Sequence, residues 1–166
     1  GVATSWGSKK GLYDFIELGK LLKTDYQIVL VGLTKKQIEQ LPDNILGIER
    51  TESVKELAEI YSESDVFVNP TYEDSFPTTN LESLACGTPV ITYKTGGSPE
   101  AIDELTGIVV EQGNIGKLID AINKVKDKGK QSYSDACVNR AHRLYKKEDR
   151  YQEYIDLYES LLYNNN

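Results

Sequence analysis

Two acidic residues eight positions apart, Asp74 and Glu82, stand at the centre of the stretch with the most chemical potential. Asp74 lies in the segment Pro70-Thr-Tyr-Glu-Asp-Ser-Phe-Pro77, which follows a short apolar run and leads straight into helical sequence. Asp74 or Ser75 can cap that helix, Pro77 suits its first turn, and Gly87 closes it in the left-handed geometry that glycine adopts cheaply. Eight residues make a little over two helical turns, so the spacing points both acids to a similar side. A second segment, Lys94-Thr-Gly-Gly-Ser-Pro-Glu100, follows the next apolar run. Gly96 and Gly97 allow backbone to approach a ligand closely, Ser98 is placed to cap, and Pro99 opens another helix. Two helix beginnings aim free N–H groups at one place, which suits an anion. The acids would repel that anion, so their partners are hydroxyls, and the ligand that satisfies both is a phosphate carrying polyols, such as a nucleotide sugar. The plainer readings stay open beside this one: Asp74 as a simple cap, Glu82 on a solvated helix face, and the glycine pair as turn chemistry.

The elements that position these segments follow from hydrophobic periodicity. Residues 27–31, 65–69, 89–93 and 107–110 are short, β-branched, apolar runs of the kind that form buried parallel strands, with Val2–Ser5 and Ile45–Ile48 as weaker candidates. Helical patterns at 11–23, 53–62, 77–86 and 114–127 alternate with them, the last with Leu118, Ala121, Ile122 and Val125 on one stripe. The expectation is an α/β, Rossmann-like, doubly wound parallel sheet of about six strands with helices on both faces. Ligands of such sheets bind beyond the carboxyl ends of the strands, where both loops belong. From about 130 to 163 only helical sequence appears, and Tyr151, Tyr154, Tyr158 and Leu161 recur at helical spacing beside Ile155 and Leu162. Such an aromatic stripe is expected to face the core, the other reading being a docking face for a further domain. Residues 164–166, three asparagines, are expected to fray.

Composition narrows the function classes. The chain has 166 residues, 39% hydrophobic and 27% charged, which fits one globular domain. The formal charge of −7 argues against a nucleic-acid partner, which needs a basic face. The acid surplus lies in the centre: residues 51–105 carry 11 acidic and 2 basic side chains, whereas the flanks are nearly balanced. The longest apolar run, about Ile28–Leu33, is far short of a membrane span. Two cysteines, Cys86 and Cys137, and the single His142 are too few for a disulfide framework or a zinc site, and a cytoplasmic setting is expected.

The stretch Tyr72–Glu100, with its acidic-x7-Glu motif followed by Leu-Ala-Cys-Gly-Thr-Pro-Val, resembles the signature of the large retaining, GT-B type glycosyltransferase family (group 1), and more narrowly its members in bacterial surface-polysaccharide synthesis. The resemblance covers nearly the whole chain, and it implies that residues 1–166 are a single donor-binding domain, the C-terminal half of an enzyme whose N-terminal domain binds the acceptor. It implies that Asp74 touches hydroxyls of the donor sugar and Glu82 those of the ribose. Backbone N–H groups between Ser75 and Thr79, including those of Phe76 and Thr78, would reach sugar and diphosphate. Lys10 would neutralise the diphosphate, Gly32 would admit the donor close to the first crossover, the 49–54 loop would lie near the base, and Gly96 and Gly97 would flank the cleft. The resemblance implies a UDP- or GDP-sugar as donor, with no metal or other cofactor expected and any membrane contact peripheral and made through the N-terminal domain. Three departures mark the sequence: an Asp at position 74 preceded by Glu73, Pro77 in place of a glycine, and Ser5 where the family carries an arginine. The Ser5 and Pro77 departures are the support for an alternative, a non-catalytic nucleotide-sugar-binding or interaction module of the same fold. A receiver-like regulatory domain is disfavoured, since no acidic cluster stands near residue 6.

Overall fold

Each strong apolar run becomes a strand in the computed structural model, which describes residues 1–22 and 25–163. The strands are β1 (Ile28–Val31), β2 (Ile45–Ile48), β3 (Phe67–Asn69), β4 (Val90–Tyr93) and β5 (Gly107–Val110). Between and after them lie α1 (Leu12–Leu21), α2 (Lys35–Ile38), α3 (Val54–Glu63), α4 (Thr78–Ala85), α5 (Ile115–Lys128), α6 (Gln131–Tyr145) and α7 (Lys147–Tyr163), with 3₁₀ turns at Ser8–Lys10 and Ser98–Ala101. β1 pairs with β2, and β3, β4 and β5 pair in that order, all in parallel. Parallel strands need crossovers, and α2, α4 and the 3₁₀ turn after β4 supply those within each sheet. β3 and β4 are buried along their whole length, as strands covered on both faces must be. Their side chains join Leu84 of α4 and Leu118 of α5 in the core, where Leu84, Val90, Ile91, Tyr93 and Leu118 are all fully buried.

Five strands form, in one ladder of two and one of three, rather than a single sheet of about six. Val2–Ser5 contributes one parallel bridge, Val2 to Val31. The Val31 N–H donates to the Gly1 carbonyl at 2.9 Å and the Val31 carbonyl accepts the Ala3 N–H at 3.1 Å, the two bonds of that bridge, and the same carbonyl also accepts the Trp6 indole N–H at 2.8 Å. Gly32 then turns the chain away with φ +98°.

A second correction concerns the aromatic stripe. α7 is a helix as expected, but it does not face the core: its residues from Lys147 to Leu162 are all exposed. Lys146 takes an extended conformation (ψ 124°) that ends α6 and lets α7 leave the body of the domain. Tyr151, Tyr154 and Tyr158 are 57%, 62% and 64% exposed. Truncation after Lys146 is therefore expected to move the thermal midpoint by no more than about 2 °C, since surface residues contribute within about 0.5 kcal/mol. A fall of more than about 6 °C by calorimetry would mean that α7 packs on the body. The asparagines at 164–166 lie outside the described residues.

Candidate functional site

The acid loop and the glycine loop leave adjacent strands and meet. β3 ends at Asn69 and β4 at Tyr93, and these strands are direct neighbours. The Gly97 N–H donates to the Ser75 carbonyl at 2.9 Å. A Cβ on Gly96, whose φ is +48°, would lie 2.0 Å from the Asp74 carbonyl oxygen, and one on Gly97 would lie 2.2 Å from that of Ser75. Both glycines are required by this contact between backbones, so the pair is more than a turn.

A third segment joins them. The Tyr72 N–H donates to the Lys9 carbonyl at 2.8 Å, and Gly11 presses against Pro70, where a Cβ would come within 2.2 Å of the carbonyl oxygen. The 3₁₀ turn is thereby set on the acid loop, and its two lysines reach two consecutive acids. Lys9 pairs with Glu73 and Lys10 with Asp74, each at 2.5 Å. The pairs differ in setting: Lys9 and Glu73 are 72% and 66% exposed, Lys10 and Asp74 only 36% and 19%. Lys10, Asp74, Ser75, Phe76, Gly96 and Gly97 thus form one rim, the Phe76 ring lying 3.2 Å from the Cβ position of Gly97 and 5.9 Å from the Tyr145 ring.

The capping scheme read from the sequence is wrong in its details. α4 begins at Thr78 with Pro77 as its N-cap, and neither Asp74 nor Ser75 caps it. Asp74 Oδ1 instead accepts the Phe76 N–H at 3.2 Å, which folds the loop rather than the helix. Proline starts the helix three residues after Asp74, so the eight-residue spacing does not run along one helix and fixes no common side. Ser98 is likewise no cap: the N-cap is Gly97, the element is a four-residue 3₁₀ turn, and Ser98 is fully buried.

Thr78 and Thr79 occupy the first turn of α4, and Glu82 follows four residues on from Thr78, exposed, with its own neighbours. Glu82 Oε2 accepts the Tyr61 hydroxyl at 3.1 Å. Burial, and after it the Glu82 carboxylate, pushes the Tyr61 phenol well above its ordinary range, so Tyr61 remains a proton donor and holds Glu82 in one orientation. Gly32 stands apart from the rim contacts, and the Ala3 carbonyl oxygen would lie 1.7 Å from its Cβ, so it serves the turn at the end of β1. A polar groove of about 350 Å³ beside it is lined by Thr4, Ser5, Thr34 and Lys36, among others. A larger one, about 740 Å³, lies between β1 and β3 with Phe15, Val29, Val68 and Ile122 in its wall, and no rim residue lines it.

Sequence reasoning missed Tyr61, and it missed Asp14, whose carboxylate accepts the Tyr93 hydroxyl at 2.7 Å and the Tyr72 hydroxyl at 3.2 Å. These partners lie 21, 79 and 58 positions away in the chain, so no local pattern announces them. His142 is exposed on α6. Cys137 is buried, with its thiol pushed up to about 12 by desolvation, and has the character of a packing residue. Among the described residues no three His, Cys, Asp or Glu side chains are placed to hold a metal ion, and no helix is long and apolar enough to cross a membrane.

The chain is similar to known proteins in sequence and in fold. A D-inositol 3-phosphate glycosyltransferase of Mycobacterium sp. (strain KMS) is 30% identical over 130 residues, which is 70% of this chain and 30% of that protein. The chain therefore spans less than a third of that relative's length. Sucrose-phosphate synthase from Thermosynechococcus elongatus superposes with a TM-score of 0.84 at 24% identity, over 95% of this chain and 44% of that one. Anabaena HepE, solved in complex with UDP, superposes with a TM-score of 0.83 at 18% identity, over 96% of this chain and 48% of that one. At these identities the two structures establish the fold. The family model described as glycosyl transferases group 1 matches residues 2–127, from the first bridge through nearly all of α5 and across the whole rim. The chain belongs to the group 1 glycosyl transferases.

Proposed function

We propose that residues 1–166 are the donor-binding domain of a retaining glycosyltransferase that takes a UDP- or GDP-sugar and passes its hexosyl group to an acceptor hydroxyl in polysaccharide or glycoconjugate synthesis. The observation that carries this reading is the Lys10–Asp74 pair, 64 positions apart in sequence and 2.5 Å apart in space, at the point where the glycine loop meets the acid loop. A cation beside a helix start suits a diphosphate, and a shielded carboxylate suits sugar hydroxyls. HepE, of the same fold, has been solved with UDP and with UDP-glucose, which supports a nucleotide sugar as the ligand class.

In this mechanism the donor exchanges partners with the pair. Lys10 turns from Asp74 to the diphosphate, and Asp74 accepts from the donor sugar. Asp74 is preferred to Glu73 because it is the more shielded of the two acids. The backbone N–H groups of Ser75, Phe76, Thr78 and Thr79, Pro77 having none, join Lys10 in stabilising the charge that develops on the leaving diphosphate, with no metal assigned a part. Glu82, steadied by Tyr61, accepts from the ribose hydroxyls. Gly96 and Gly97 shape the cleft, and Gly32 sets the turn beside it. The acceptor and any acid–base group belong to an N-terminal domain, in keeping with a chain that covers 44% and 48% of the two solved proteins. The isolated chain then binds donor without turning it over, and its two free thiols fit a cytoplasmic setting.

Calorimetric titration with UDP-glucose and GDP-mannose tests the reading. One of them is expected to bind, and Glu82→Ala is expected to weaken it about tenfold, the worth of a hydrogen bond to a charged acceptor. An unchanged affinity in the variant removes Glu82 from the site. Failure of the unaltered chain to bind either nucleotide sugar, or UDP and GDP, overturns the proposal.

A further inference from the structure

Four polar side chains are sealed beneath the two rim loops. Asn80 of α4, Thr92 of β4 and Ser98 of the second 3₁₀ turn are fully buried, and Asn69, the last residue of β3, is 8% exposed. Their hydrogen bonds close into a ring. Asn69 Nδ2 donates to Asn80 Oδ1 at 2.8 Å, and Asn80 Nδ2 donates to Ser98 Oγ at 3.1 Å and to the Ser98 carbonyl at 3.2 Å. The Thr92 hydroxyl donates to the Asn69 carbonyl at 3.0 Å. Thr92 has only one proton to give, so in its 2.6 Å contact with Ser98 the serine is the donor. Among the described residues no buried side-chain nitrogen or oxygen lacks a partner, so the ring is complete.

The ring ties together the places where the two loops depart. Asn69 opens the acid loop, Thr92 lies one residue before the end of β4, and Ser98 comes directly after Gly97. Above the ring the loops touch through the Gly97 N–H and the Ser75 carbonyl. A purely apolar filling could satisfy packing here but could not hold the Ser98 backbone at a set height. Only a carboxamide at position 80 can accept from β3 and donate twice to the glycine loop.

We propose that Asn80 is the positioning residue of the rim: through Ser98 it holds the 94–98 loop against the 74–76 loop, so that the backbone N–H groups of the site are aligned before any ligand arrives. Asn80 touches no ligand itself. The inference rests on the donor-site reading for its functional consequence, while the alignment itself is measurable without it.

The experiment follows the Gly97 amide by hydrogen exchange, with the Val90 amide, bonded to the Thr106 carbonyl in the sheet, as the internal reference, and measures UDP and GDP affinity by calorimetry. Two variants are used. Asn80→Asp keeps the volume and the acceptor for Asn69 but loses the donor to Ser98, and Ser98→Ala removes the hydroxyl from the ring. In both, exchange at Gly97 is expected to rise at least about tenfold at unchanged Val90 protection, and nucleotide affinity to fall about tenfold. In Asn80→Asp, lowering the pH until the buried carboxyl takes up a proton restores a donor, and Gly97 protection, corrected for intrinsic exchange, is expected to return. Wild-type protection at Gly97 in both variants overturns the proposal, and so does a parallel loss at Gly97 and Val90, which would make the ring a support of the whole fold. Selective loss at Gly97 in a chain that binds neither UDP nor GDP upholds the positioning role and sinks the donor reading alone.

Discussion

A Gly96→Val variant is expected to unfold about 6–12 °C below the parent and to show no measurable nucleotide-sugar binding. Position 96 has φ +48°, a region that a β-branched residue enters only under strain. The added Cβ would also fall 2.0 Å from the Asp74 carbonyl oxygen, a backbone atom that cannot swing aside as a flexible side-chain tip would. One of the two loops must move, and the Gly97–Ser75 hydrogen bond breaks with it. Strain and a lost buried contact together are worth about 3 kcal/mol, which gives that midpoint shift for a domain of this size. Gly116→Ala is the control. Gly116 lies within α5, and nothing closer than Asn114 Oδ1, at 3.6 Å, meets its Cβ, so alanine there is expected to stabilise by about 0.5–1 kcal/mol through helix propensity. Equal effects from the two substitutions would refute the close approach at the rim.

The contrast between those glycines shows where sequence reading succeeds. Gly96 next to Gly97, between an apolar run and Ser-Pro, is readable as a close approach because its neighbours on both sides have the right types. The β-branched runs are readable because burial on both faces removes any need for polar alternation. Tyr151, Tyr154, Tyr158 and Leu161 defeat the same logic. Helical spacing predicts a stripe, and the stripe exists, but periodicity does not say what covers it. Asn69, Asn80, Thr92 and Ser98 fail in the opposite sense, since polar side chains read as solvent-facing and only the fold shows that they satisfy one another. Local grounds place Ser98 at a helix start, whereas its hydroxyl belongs to partners on β4 and α4. Asp74 shows the finer limit: its type and neighbourhood are right, but a proline three residues on moves the helix start and voids the spacing argument.

Lys10→Met is expected to weaken UDP binding about a hundredfold while leaving the midpoint of unfolding nearly unchanged. The two effects separate because they draw on different states of the same side chain. Without ligand, Lys10 faces Asp74 in a pair that is partly open to water, and such pairs contribute no more than about 1 kcal/mol. With ligand it faces a diphosphate among oriented N–H groups, where a charged hydrogen bond is worth up to about 3 kcal/mol, or two decades in affinity. Asp74→Asn then separates a binding role from a folding role. It frees Lys10 and removes a negative charge beside the diphosphate, so UDP is expected to bind at least as tightly as to the parent. UDP-glucose is expected to lose any advantage it holds over UDP, because that advantage comes from sugar hydroxyls on the carboxylate. Residues in direct contact thus respond with opposite sign to one ligand, and raising the salt is expected to weaken UDP less in Lys10→Met than in the parent. A general loosening of the rim cannot produce that pattern, since it would lower UDP affinity in both variants. Parent-like UDP binding in Lys10→Met, or equal loss in the two variants, would take Lys10 and Asp74 out of the donor site.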